Sequence, residues 1–258
     1  RFPPNSFKTR VQKDQITLRS AILMVAFPPI LAIYLVVILL TLDTDKTYTQ
    51  YLVLAPLAYA LGSVPWGYMV VKMSQGKDLR EFGSGRTGTS NTLRTAGPRA
   101  ALIVLVLDIS KGVVAILMAK AISDTPMAEV ITSIFVLTGH VWPLFLGFHG
   151  GRGIGPGAGI VVMIAPIPLC IGLIVFAIVT STTKLLSLGS LISLAIMSVL
   201  VLVETIISDL SSTYLIFIAI GTGLVFWQHR DNIARLIKGR ERRIDRPADP
   251  IPGIKQTP

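Results

Sequence analysis

Three short polar stretches hold the residue types that could bind and neutralise an anion. The first runs from Gly76 to Pro98, GKDLREFGSGRTGTSNTLRTAGP. In and just after it lie Lys77, Arg80, Arg86, Arg94 and Arg99, against Asp78 and Glu81 alone. Gly83, Gly85 and Gly88 let the backbone turn sharply or approach a ligand closely. Such a loop can aim amide N–H groups, the Ser84 hydroxyl and guanidinium groups at one anion. If the chain is helical from Thr89 onward, Asn91 and Arg94 share a face and the helix N-terminus adds to the attraction. The second stretch, Gly150-Gly151-Arg152-Gly153, has the make-up of a small anion nest, with His140 ten residues ahead of it to cap or orient the turn. The third, His229-Arg-Asp-Asn232, places a histidine and an amide one helical turn apart.

Several other devices are absent. Gly83–Ser90 has the spacing of a P-loop, but Thr89 stands where the phosphate-binding lysine must be, and no strand precedes it. There is no G-x-S-x-G elbow. Three scattered histidines and one cysteine in an apolar run, Cys170, make no metal set, and no cofactor is called for. The chemistry on offer is charge neutralisation and alignment of a phosphate compound, with no triad and no metal.

The elements that must position these groups are apolar helices. The chain has 258 residues, 52% hydrophobic and 15% charged, with a mean hydropathy of +0.67. Soluble domains average about 25% charged residues, so the balance reads as an integral membrane protein. The net charge of +10 belongs with basic loops on one membrane face rather than with nucleic acid. Apolar runs predict eight spans: Ala21–Leu42, Leu52–Val71, Ala100–Ala119, Val130–Phe148, two short helices within the uncharged stretch Gly153–Thr183 meeting near Pro166, Leu185–Val203 and Leu210–Gln228. Of the 24 Lys and Arg, only Lys46 and Lys120 then fall on or near the outer side. Both termini and all three polar stretches face the cytoplasm in this arrangement. Asp108 and Lys111, three apart inside a span, are expected to form an ion pair facing the bundle interior, with a substrate role for Lys111 as the alternative. The organisation expected is a basic segment plus anchoring helix over 1–46, a helical domain over 47–243, and a disordered tail over 244–258.

The segments GSVPWGYMVVK, GKDLREFGSGRTGTSNTLR, LDISKG, GHVWPLFLGFHGGRG and HRDNIARLIKGRERR occur in that order. Together they resemble the bacterial acyl-phosphate:glycerol-3-phosphate acyltransferases, the PlsY family, from about Tyr51 to Arg243. The His/Asp device of better-known glycerolipid acyltransferases is missing here. The resemblance implies an all-α bundle: a seven-helix membrane core, to which Ala21–Leu42 is an addition. It implies an enzyme of the bacterial inner membrane that acylates the 1-hydroxyl of glycerol 3-phosphate from acyl phosphate, the first step of phospholipid synthesis. Neither coenzyme A nor acyl carrier protein is needed. Carried over by position, Ser84, Arg94 and Arg152 hold substrate phosphates, while His229 and Asn232 line the reacting centre. Gly85, Arg86, Asn91, Lys111, His140, Gly150, Gly151 and Gly153 complete the expected substrate site.

The chain also departs from that family. Arg86 replaces the first Asn of GSGN-x-GATN, and Gly88-Thr-Ser-Asn91 replaces its GATN. Phe148-His-Gly-Gly-Arg-Gly153 replaces FKGGKG and is followed by Ile154-Gly-Pro156. Arg at 152 keeps the family's charge with a different geometry. If the two loops meet, Arg86 supplies the charge that His149 lacks. The departures also motivate two other readings: a catalytically altered paralogue that binds a phospholipid precursor, and a small-anion transporter built on the broken helices near Pro156.

Overall fold

Proline and glycine set the limits of the helices. The computed structural model describes residues 26–43 and 46–252. The expected basic lead, the start of the first apolar run and the end of the tail lie outside the described residues. Helix α1 spans Ala26–Thr41. It is followed by α2 (Thr47–Ser63), α3 (Trp66–Gln75), α4 (Thr89–Ala96), α5 (Pro98–Ile122) and α6 (Pro126–Val141). Then come α7 (Ile154–Ile164), α8 (Pro166–Thr183), α9 (Leu186–Ile207), α10 (Tyr214–Gln228) and α11 (Arg230–Ile237). Pro98, Pro126 and Pro166 each open a helix, where a missing N–H costs nothing. Pro65 separates α2 from α3, and Gly76 closes α3 in the left-handed conformation.

Among the described residues, five segments are long and apolar enough to cross a membrane: Thr47–Gln75, α5, Pro126–Leu146, α8 and α9. The helices α1, α7 and α10 are apolar but shorter. The uncharged stretch does divide as its prolines suggest, with α7 and α8 meeting at Ala165.

Glycine seams bring the helices together. A Cβ on Gly62 of α2 would lie 2.2 Å from the Val136 carbonyl oxygen of α6, and one on Gly139 of α6 would lie 2.3 Å from that of Tyr59. Gly112 of α5 and Gly159 of α7 are matched in the same way, at 2.2 Å from the Pro156 oxygen and 2.0 Å from the Ile109 oxygen. Backbone-to-backbone approach of this kind is how helices associate in lipid, where packing rather than water exclusion drives contact. Around the seams a core of Ala115, Ile116, Val136, Leu137, Ile160 and Phe217 is buried.

Within this core Lys111 Nζ lies 3.1 Å from Asp108 Oδ1, both side chains almost fully buried. The ammonium also donates to the carbonyls of Val64 (2.6 Å) and Gly62 (3.3 Å), the groups freed where Pro65 breaks the helix. His140 Nδ1 sits 3.5 Å from the same Asp108 oxygen. The ion pair is therefore the clasp of the α2–α3 break.

Residues 248–251 of the tail are bonded to the first polar loop and to α4. Gly83 N donates to Asp249 O and Ile251 N to Glu81 O, both at 2.9 Å, around an antiparallel bridge between Phe82 and Pro250. Ala248 N donates to Arg94 O at 3.0 Å. The reason is backbone accounting: the chain leaves the short 3-10 turn Leu79–Glu81 and enters no further helix until Thr89, and its polar groups need partners. A composition rich in proline and charge does not reveal that.

Candidate active site

A cavity of about 440 Å³ opens between the first polar loop, the glycine turn and the helices α5, α7, α8, α9 and α10. Its two ends differ in chemistry. The polar lining residues Ser84, Arg86, Ser90, Asp108, Arg152 and His229 come from segments that meet at Gly88–Gly151 and Gly155–Asp108; Leu169, Leu173, Phe176, Leu194 and Met197 come from the packed pair α8 and α9. The N-termini of α4 and α7 both reach the polar end, through Gly88–Ser90 and Gly153–Gly155. Two helix dipoles thus add to the guanidinium charge.

The loop's shape depends on Asn91. Its Oδ1 accepts from Ser84 N (3.1 Å), and its Nδ2 donates to the carbonyls of Leu79 (3.2 Å), Phe82 (3.0 Å) and Arg86 (3.0 Å). With both ends of the amide bonded to the loop, Asn91 organises the loop and also lines the cavity. Gly83 and Gly85 take φ of 55° and 68°, and a Cβ on Gly83 would lie 2.4 Å from Asn91 Oδ1. Gly85 therefore serves the turn and does not face the cavity.

The glycine turn is tied to α6. Gly151 N donates to His140 O at 3.1 Å and Gly150 N to Val141 O at 3.2 Å. A Cβ on Gly151 would lie 2.1 Å from His140 Nε2, so the His140 ring packs against that backbone. Gly150 and Gly151 let the turn close, while Arg152 and Gly153 line the cavity. A Cβ on Gly88 would lie 3.9 Å from Gly151 Cα, so the two loops touch. Arg86 lines the cavity, whereas His149 lies outside its wall. The contact of the loops meets the condition for Arg86 to replace the charge that position 149 lacks. Lys111 does not line the cavity; its commitment to Asp108 and two carbonyls removes it from the expected substrate contacts.

Arg86 and Arg152 in the wall, with Arg94 behind them, form a cationic cluster at the polar end. Burial, then Arg86, pushes the Arg152 guanidinium down to about 10. Burial, then Arg242, pushes Arg94 down to about 10 as well. Burial, then Arg230, lowers Arg86. All three stay protonated at neutral pH. The Nε atoms of Arg94 and Arg152 are buried with no hydrogen-bond partner among the described residues. Crowded, desolvated and unpartnered cations are the mark of a site that awaits an anion.

His229 caps α10, with Nδ1 2.8 Å from Val225 O. A carbonyl only accepts, so Nδ1 carries the hydrogen and Nε2 keeps its lone pair. Burial, reinforced by Arg152, lowers His229 to about 4. Its unfolded value is about 6.5, so the unfolded chain takes up the proton first as pH falls. Stability is therefore expected to drop between pH 6.5 and 4 and level off below. Thermal midpoints in detergent should show this slope for the parent chain and a shallower one for His229→Asn.

Asn232 donates from Nδ2 to Glu241 Oε1 at 2.7 Å, and Arg235 donates from Nε to Glu241 Oε2 at 2.8 Å. Arg235, Glu241 and Arg242 escaped the reading of single residues because they sit in a run of charges that looks solvated. The available signal was Arg235's spacing of three from Asn232.

Comparison with known proteins supports the same reading. The family model described as glycerol-3-phosphate acyltransferase matches residues 52–239. A glycerol-3-phosphate acyltransferase from Synechococcus sp. is 40% identical over 195 residues, covering 75% of this chain and 94% of its own. Glycerol-3-phosphate acyltransferase 3 of Dehalococcoides mccartyi is 37% identical over 203 residues, covering 74% and 94%. Among solved structures, PlsY (YgiH), an integral membrane glycerol 3-phosphate acyltransferase, aligns in its glycerol 3-phosphate form with a TM-score of 0.70 and 29% identity. That alignment covers 75% of this chain and 94% of the other. Its lysophosphatidic acid form aligns with a TM-score of 0.67. With half-buried arginines facing a cavity that is polar at one end and apolar at the other, and with this match over most of its length, the chain belongs to the glycerol-3-phosphate acyltransferase family.

Proposed function

We propose that the chain transfers a fatty acyl group from acyl phosphate to the 1-hydroxyl of sn-glycerol 3-phosphate, releasing lysophosphatidic acid and phosphate. The observation that carries this is one cavity joining an arginine-lined end to an apolar end, which suits two phosphates and an acyl tail in a single site. Ser84, Arg86 and Arg152 hold the phosphate groups at the polar end, and Arg94 supports them from the cluster behind. The positive-inside rule favours the cytoplasmic face for that end, and α1 is read as an addition to seven family helices.

Acyl phosphate is an activated anhydride whose leaving group is already an anion, so strong acid assistance is unnecessary. The hydroxyl oxygen bonds to the acyl carbon, the acyl C–O bond to phosphate breaks, and phosphate leaves with the bonding electrons. The hydroxyl proton passes to a substrate phosphate oxygen. Burial and the nearby Arg152 weaken His229 as a base, so the phosphate monoester is assigned as the proton acceptor. His229 instead accepts a hydrogen bond at Nε2 and orients the hydroxyl toward the carbonyl. Arginine charge and the two helix N-termini stabilise the growing negative charge.

The test uses the purified protein in lipid vesicles with palmitoyl phosphate and labelled glycerol 3-phosphate. Labelled lysophosphatidic acid is expected from palmitoyl phosphate, and none from palmitoyl-coenzyme A or palmitoyl-acyl carrier protein. Binding without product would favour an altered paralogue. Uptake into the vesicles without chemistry would favour a transporter.

A further inference from the structure

The first polar loop is held by two supports. One is the Asn91 side chain, bonded to Ser84 N and to the carbonyls of Leu79, Phe82 and Arg86. The other is the tail. Gly83 N donates to Asp249 O and Ile251 N to Glu81 O, which makes Phe82 and Pro250 the non-hydrogen-bonded pair of an antiparallel bridge. The missing N–H of Pro250 therefore points away from the loop, and the bridge loses nothing by it. Side chains follow the backbone. A Cβ on Gly83 would lie 3.0 Å from Ala248 Cβ, and one on Gly85 would lie 3.5 Å from Ile251 Cδ1. The tail thus covers both glycines that flank Ser84, and Ser84 is the one of the three that lines the cavity. Ala248 N also donates to Arg94 O at 3.0 Å. The helical partner of that carbonyl would be Pro98, which has no N–H, so the end of α4 is capped from the tail. Residues Ala248–Ile251 therefore strap together the loop that carries Ser84 and Arg86 and the helix that carries Arg94. The strap lies beyond residues 52–239, which the family model matches.

We propose that the strap Ala248–Ile251 is a positioning element for glycerol 3-phosphate, holding Ser84, Arg86 and Arg94 in one arrangement around its phosphate. The proposal rests on the acyltransferase reading above. It also separates the two substrates. Glycerol 3-phosphate offers only a phosphate and two hydroxyls, so its affinity depends on the polar loop. Acyl phosphate is held as well by its chain against α8 and α9. Loosening the loop therefore weakens the first substrate far more than the second. A strap that served the fold alone would lower the thermal midpoint and leave both KM values in place.

The experiment measures lysophosphatidic acid formation by the purified full chain in vesicles, with each substrate varied in turn. Ala248→Pro combined with Ile251→Pro removes the N–H donors to Arg94 O and Glu81 O and leaves every residue of the cavity wall unchanged. The KM for glycerol 3-phosphate is expected to rise about 10-fold, the order expected of two lost backbone bonds, while kcat and the KM for palmitoyl phosphate stay within about 2-fold of the parent. Amide hydrogen exchange over residues 81–86 should be faster in the variant and return to the parent's rate at saturating glycerol 3-phosphate. Either proline alone should give a smaller rise of the same kind, which keeps the test decisive if the paired variant fails to fold. An unchanged KM for glycerol 3-phosphate, an equal rise for both substrates, or a loss confined to kcat overturns the proposal. A parent chain that makes no lysophosphatidic acid in the same assay overturns the acyltransferase reading instead. Exchange over residues 81–86 then still decides whether the strap holds the loop: unchanged rates in the variant overturn it.

Discussion

Arg152→Ala is expected to lower phosphate release dependent on glycerol 3-phosphate by about 10²–10³-fold, the range seen when one preorganised charge-stabilising donor is lost. Arg152 lines the polar end of the cavity, and its Nε has no partner among the described residues. No other cation on its own loop can replace it, because His149 lies outside the cavity wall. Arg152→Lys keeps the charge but not the planar fork, so it should recover part of the rate and not all of it. Arg94→Ala should lose most activity as well, although Arg94 acts from behind the cavity and not at its wall. Release of inorganic phosphate from palmitoyl phosphate, with and without glycerol 3-phosphate, checks both. Near-normal turnover in the two alanine variants would remove these arginines from the site.

The second large effect is on stability. Lys111→Met should destabilise the protein by about 3–5 kcal/mol, the usual cost of removing one partner of a buried ion pair. It leaves the Asp108 carboxylate buried without its counter-charge, and takes the ammonium donor from the carbonyls of Gly62 and Val64, of which Val64 keeps only Trp66 N at 3.1 Å. The α2–α3 break should loosen with it. Adding Asp108→Asn to Lys111→Met removes the stranded charge and should return a substantial share of the loss. Thermal unfolding in detergent, with the double variant beside the single ones, measures the coupling. A Lys111→Met chain within about 1 kcal/mol of the parent, less than the commonest single-site loss, would show that the pair clasps nothing.

How far these features were legible depends on whether their cause is local. The break at Ala165 was legible because Pro166 cannot continue a helix. The Asp108–Lys111 pair was legible because three residues along a helix puts two side chains on one face. What Lys111 is bonded to besides Asp108 was not, since the Gly62 and Val64 carbonyls lie nearly fifty residues away in sequence. Asn91 shows the opposite difficulty. Its type and place suit a ligand, yet four short backbone contacts occupy it, and none has a sequence signature. Glu241 was hidden by its neighbours: among Arg240, Arg242 and Arg243 a lone acid reads as a surface charge, and only the fold turns it inward.

The strap formed by the tail has a consequence for what substrate binding must achieve. Backbone bonds from Asp249 and Ile251 already hold residues 81 and 83, and Ala248 holds the carbonyl of Arg94. Fixing a backbone residue costs about 1–2 kcal/mol of conformational entropy. For residues 81–83 that is roughly 3–6 kcal/mol that an incoming phosphate does not have to offset. Contacts to the loop are then free to strengthen as charge develops in the transition state, which is where binding energy accelerates a reaction.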